Sequence, residues 1–176
     1  MGLILGRSVL QESPDIATGF NTLPLGAGGL VIGFDITPDG HACAWSDVGG
    51  AYVFDGVLPA DVTDSTKRWK QVLTYGALGA DYVIPGGATT WTGALCMAIA
   101  PSNSDKIYAY FPKNGDGTNF WQWSIFYSDD SGESWTENDT GLINYCDDGG
   151  SNGAWRRSQQ SIAVDPNNED VVYVGM

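Results

Sequence analysis

Trp91, Trp121, Trp123 and Trp155 fall in or beside stretches rich in Gly, Asn and Asp, outside any regular strand-like alternation. A flat indole face stacks on the apolar C–H face of a sugar ring, while acidic and amide groups bond the ring's hydroxyls. Asp116, Asn119, Asp147, Asp148 and Asn152 stand close enough in sequence to serve. These residue types point to carbohydrate binding. The alternative use of the same aromatics is to fill gaps between packed sheets. Asp47, in the run Ser46-Asp47-Val48-Gly49-Gly50-Ala51-Tyr52, reads on its own as a turn aspartate capping the Gly49-Gly50 bend.

Other chemistries are thinly represented. His41 is the single histidine, which removes most zinc sites and any Ser–His–Asp triad that does not use it. Cys43, Cys96 and Cys146 are an odd number without a C-x-x-C pair, so they are no disulfide framework; one pair plus a free thiol fits the count. Residues 147–152, Asp-Asp-Gly-Gly-Ser-Asn, carry calcium-type ligands but lack the regular spacing of a calcium loop. Gly26-x-Gly28 has no helix to follow it and is no dinucleotide fingerprint. No metal and no cofactor is expected.

The elements that must position these residues repeat along the chain. Residues 34–45, 97–109 and 162–174 each read as an alternating strand, a tight turn begun at proline, and a second alternating strand. Pro38, Pro101 and Pro166 fix φ for the three turns, and Asp, Asn or Gly supplies the remaining turn geometry. Further strands are expected at 50–54, 69–73, 124–127 and 134–136. Four strands per unit is the blade of a β-propeller. The spacings of 63 and 65 residues between the prolines exceed the usual blade of roughly 40–50. The excess is expected as inserted surface loops at 76–90, 113–123 and 145–157. The expected fold class is all-β, a β-propeller, with repeats near 30–73, 94–136 and 161–176; a β-sandwich with coincidental hairpins is the alternative. Residues 1–24 are expected as an N-terminal arm in which Pro14, Gly19 and Pro24 break any element, leaving 25–176 as the partial propeller.

Residues 128–135, Ser-Asp-Asp-Ser-Gly-Glu-Ser-Trp, fit the Asp-box pattern S-x-D-x-G-x-x-W. Ser128 and Asp130 can bond backbone N–H groups of the turn, Gly132 can take a conformation other residues resist, and Trp135 can pack beneath the hairpin. The expected role is structural. The pattern resembles that of sialidase-like and sortilin-like propellers.

A narrower resemblance surrounds the first repeat. Gly26-Ala27-Gly28-Gly29-Leu30-Val31-Ile32-Gly33 precedes its first strand, Ser46-Asp47-Val48-Gly49-Gly50-Ala51-Tyr52 follows its second, and Trp69 opens a later strand. This order resembles the opening blade of glycoside hydrolase family 74, the xyloglucan-cleaving endoglucanases. Residues 161–168 are similar to that family's next blade, and the resemblance runs in patches over about 26–176. It implies a propeller of Asp-box type, a polysaccharide substrate and inversion at the anomeric carbon. Asp47 matches the family's catalytic base. Tyr52, which ends the same motif, joins Trp91, Trp121, Trp123 and Trp155 as a candidate glycan-binding residue. Inversion needs a second carboxylate about 6.5–9.5 Å from the first, and the family draws it from a second propeller with no counterpart in these residues. The isolated chain is therefore expected to be inactive. Ser46 in place of Thr and Val53-Phe54 in place of Arg-Trp depart from the family pattern and bear on substrate identity.

Bulk composition narrows the partners. The 176 residues include 24 Gly and 21 aromatics, with 8 Lys and Arg against 21 Asp and Glu, for a formal charge of −13. That field repels a phosphate backbone and an anionic membrane surface alike. No apolar run exceeds the seven residues 94–100, so membrane insertion is not expected. No secretion signal is expected in the first residues, since Arg7 follows the apolar stretch instead of preceding it. The expected partner is a polysaccharide or cell-surface glycan, and the expected location is extracellular or virion-associated. The alternative function is a non-catalytic glycan- or receptor-binding propeller of a virion tail or appendage. Closing a propeller takes typically 4–8 blades, whereas about two and a half are visible, so a further chain or other subunits are expected to complete it.

Overall fold

The computed structural model describes residues 2–6, 20–25, 30–46, 50–74, 96–113, 122–138 and 161–175. Among them no residue is helical, so none belongs to a helix long and apolar enough to cross a membrane. Strands β1 (Gly2–Gly6) and β2 (Phe20–Pro24) pair in parallel. The 1–24 segment thus contains two strands, where the sequence suggested an arm without elements. Pro24 is the last residue of β2, at the strand's end.

Strands β3 (Val31–Ile36), β4 (Ala42–Ser46), β5 (Gly50–Phe54) and β6 (Trp69–Leu73) form an antiparallel meander in that order. A second meander joins β7 (Cys96–Ala100), β8 (Asn103–Lys113), β9 (Gln122–Ser128) and β10 (Thr136–Asn138). A hairpin of β11 (Ser161–Asp165) and β12 (Asn168–Gly175) follows. The last strand of the second meander begins at Thr136 and not at Ser134 as the alternation suggested. Asp130 holds both the backbone N–H and the hydroxyl of Ser134 in the preceding turn.

The three sheets stack face to face. Strand β7 lies against β3 and β4, and β11 lies against β7, so the first strands of successive sheets are neighbours. This is the arrangement of propeller blades, here two whole blades and half of a third. Alternation assigns the faces. Met97, Ile99, Ile107, Ala109 and Phe126 of the second sheet pack on Cys43, Ala51 and Leu73 of the first. The intervening positions Cys96, Ala98, Ala100, Tyr108, Tyr110 and Ile125 face the other way and receive Val164 of the hairpin. Small side chains at Ala51, Ala98, Ala100 and Ala109 let the sheets approach closely. Phe126, Met97 and Ile107 are almost wholly buried, each stabilising the interface by roughly 1.5–3 kcal/mol.

The connections that are described in full gather at one end of the sheets. A cavity of about 320 Å³ is lined by His41 after the β3–β4 turn, Asp55 and Lys67 between β5 and β6, Ser104 beside the β7–β8 turn, and Ser131 and Glu133 between β9 and β10. Within the hairpin, Tyr108 Oη donates to the Glu169 carbonyl at 2.8 Å, which sets the start of β12 beside the early part of β8. The β11–β12 turn therefore lies at this end too. The connectors 47–49, 75–95, 114–121 and 139–160 leave from strand ends at the opposite side of the stack.

Candidate functional site

Asp47 lies outside the described residues, but the frame that carries it is described. Ser46 and Gly50 are directly paired across β4 and β5, so residues 47–49 are a three-residue link between paired positions. Ser46 is fully buried. Gly50 has φ of +82°, and a Cβ there would stand 2.1 Å from the Leu73 carbonyl oxygen. Both facts demand glycine, because a side chain would clash and would also resist a left-handed backbone. The end of β6 thereby lies close against the start of β5 at Gly50.

Trp91, Trp121 and Trp155 also lie outside the described residues, as do Asp116, Asn119, Asp147, Asp148 and Asn152. The conceivable calcium loop at 147–152 and Cys146 fall there too. Trp123 is the second residue of β9, opposite Pro112 in register, at the connector end. The structure thus places the flanks of every tryptophan connector on one side of the stack.

Tyr52 is placed differently. It is 5% exposed, packed with Leu25, Ala42, Ala44, Phe54, Leu58 and Trp69 on the outer face of the first sheet. Its hydroxyl accepts from Gln71 Nε2 at 3.4 Å. The Tyr52 ring is thus part of the packing on this face of the first sheet.

Residues 128–135 form a self-bonded turn. Ser128 Oγ accepts from the backbone N–H of Gly132 at 2.8 Å and of Asp130 at 3.2 Å, and donates to Asp130 Oδ1 at 2.7 Å. Asp130 accepts from Ser134 N at 2.8 Å and from Ser134 Oγ at 2.6 Å. The Ser134 hydroxyl bond is the largest influence holding the Asp130 pKa below the ordinary 3.8, followed by the Ser134 backbone and Ser128. Ser131 takes a left-handed φ of 56°, tethered by its N–H to the Asp105 carbonyl at 2.9 Å. The Trp135 ring reaches across to the first sheet. The bonds of Ser128 and Asp130 close the turn on itself, a structural role.

The two cysteines that are described are free and buried in different interfaces. Burial pushes the Cys43 thiol well above its usual value, and pushes Cys96 up to about 12. Neither is a nucleophile at neutral pH. No three His, Cys, Asp or Glu side chains gather as a metal-ligand set among the described residues. Sequence reasoning missed Lys106, whose side chain is only 9% exposed; a lysine that follows the polar residues Asn103-Ser104-Asp105 gives no signal of this.

No sequence-family profile matches the chain. No curated protein matches it at a significant level. Among solved structures, it is similar to a GH74 enzyme from Niastella koreensis, with 24% identity and a TM-score of 0.51. The match covers 83% of this chain and 18% of that one, so the chain spans less than a fifth of that enzyme's length. The likeness shows the fold: an all-β chain built as part of a β-propeller.

Proposed function

We propose that this chain is a carbohydrate-recognising part of an Asp-box-type β-propeller, with its glycan face at the connector end of the sheets. One observation carries the reading. Asp47 and all four candidate tryptophans belong to, or adjoin, connectors leaving that end, while the connections described in full occupy the other. In this reading Trp91, Trp121, Trp123 and Trp155 stack on sugar rings, and Asp47 is the general base of an inverting endo-β-glucanase. The paired Ser46–Gly50 frame supports that role, because the two residues that flank the 47–49 stretch both lie at that end of the sheets. Inversion needs a second carboxylate across a water-sized gap, which we assign to another domain or subunit. Hydrolysis is then expected only with that partner present.

Glycan-array screening, followed by a reducing-end assay on xyloglucan, tests the proposal. Binding to β-linked glucans is the expected result. Hydrolysis in a complete enzyme should fall by orders of magnitude in Asp47→Asn while binding persists. Binding with no reducing ends from any assembly containing the chain would remove the catalytic part. Absence of glycan binding would remove the whole reading.

A further inference from the structure

Lys106 is the fourth residue of β8, and its side chain is only 9% exposed. Its ammonium lies 2.5 Å from Asp129 Oδ1 and 3.6 Å from Asp170 Oδ1. It also stands 4.4 Å from the centroid of the Tyr127 ring and 5.6 Å from that of Tyr108. Burial pulls its pKa down, but Asp129, Tyr108 and Asp170 outweigh that and hold it above the ordinary value. Asp129 belongs to the turn after β9, and Asp170 belongs to β12. One cation therefore touches the second sheet, its turn and the hairpin that follows. Beside it runs the bond from Tyr108 Oη to the Glu169 carbonyl.

Ile162, Val164, Val172 and Val174 of the hairpin pack on the second sheet, Val164 being 8% exposed. Ala163, Val171 and Tyr173 on its other face are exposed, Tyr173 by 59%. The specific polar contacts between the hairpin and the second sheet converge on Lys106 and Tyr108.

We infer that Lys106 is the latch that seats the β11–β12 hairpin on the second sheet. The aromatic rings of Tyr108 and Tyr127 and the carboxylate of Asp129 hold the ammonium in place before the hairpin arrives. Asp170 and the Glu169 carbonyl then find their partners in one step. Asp129 and Asp170 are 64% and 77% exposed, so removing the lysine charge strands neither carboxylate in an apolar site. The effect of losing the latch should fall on the hairpin and spare the sheets.

Hydrogen exchange on the whole chain reads this directly, because local opening shows as lost amide protection. Lys106→Met keeps the apolar stem and removes the charge; Asp170→Asn removes the hairpin's half. Both should raise exchange in 161–175 by about three- to tenfold, in keeping with a partly exposed ion pair, and leave β3–β6 unchanged. Lys106→Arg should stay near the parent. Equal loss of protection in every sheet would make Lys106 a general core support and overturn the proposal, as would unchanged exchange in 161–175. If Lys106→Met fails to fold, Asp170→Asn, a change at an exposed side chain, decides between these outcomes.

Discussion

The indole Nε1–H of Trp135 donates to the backbone carbonyl of Val72 at 3.0 Å, tying the turn after β9 to the outer strand of the preceding sheet. The same N–H is shared with the Gly132 carbonyl at 3.1 Å. Gly132 has φ of +91°, and a Cβ there would stand 2.9 Å from Val72 Cβ. A single turn therefore sets how closely two blades approach. Trp135→Phe keeps an aromatic ring and removes the donor, so it should cost about 0.5–1.5 kcal/mol. Trp135→Ala removes the packing as well and should cost about 2–4 kcal/mol. Urea midpoints at constant slope check both, and equal losses in the two variants would contradict the division.

Gly50→Ala should be costly for a separate reason. Its Cβ would meet the Leu73 carbonyl at 2.1 Å in a left-handed backbone, a fixed obstacle that cannot rotate away. We expect a loss of more than about 2 kcal/mol, seen as a lowered melting temperature. A neutral result would mean that β5 does not begin where the paired Ser46–Gly50 frame puts it.

Asp130 makes stability depend on acid pH. Its pKa is depressed in the folded chain by the Ser134 hydroxyl and backbone bonds. Its contribution is therefore present in full above the unfolded value near 4 and is lost as pH falls through the lower folded value. Asp130→Asn should be less stable than the parent at neutral pH, and the gap should close below about pH 4. A gap that stayed constant down to pH 2 would contradict the assignment.

The thiols give a test of the packing. Cys43 and Cys96 are buried, with pKa values pushed up by that burial. In a Cys146→Ser background neither should react with a soluble thiol reagent in the native state, and both should react in denaturant. Rapid native labelling of either would contradict the two sheet interfaces.

Proline turns made much of this fold legible. Pro38, Pro101 and Pro166 each sit at the hairpin turn that joins the first two strands of a sheet, flanked by the alternation that sorts residues between faces. Trp69–Leu73 and Gly50–Phe54 were readable as strands for the same reason. Ser134 was misread because a side-chain capture by Asp130 overrides strand propensity, and local pattern does not weigh such captures. The burial of Tyr52 was not legible, because a motif in sequence does not show what covers its last ring. Lys106 was illegible because its seat is built by Asp129, 23 residues away, and by Asp170 on another element. Strands β1 and β2 pair across a gap that no short-range signal spans.

The glycan-face assignment is tested by titrating the chain calorimetrically with xyloglucan oligosaccharides. The comparison sets the parent against Trp91→Ala/Trp155→Ala at the connector end and against Lys67→Ala/Lys70→Ala at the turn-end cavity. The account predicts that the parent binds, that the tryptophan pair loses at least about tenfold in affinity, and that the lysine pair matches the parent. Loss in the lysine pair with binding kept in the tryptophan pair would contradict it, because the sugar would then sit at the opposite end of the sheets.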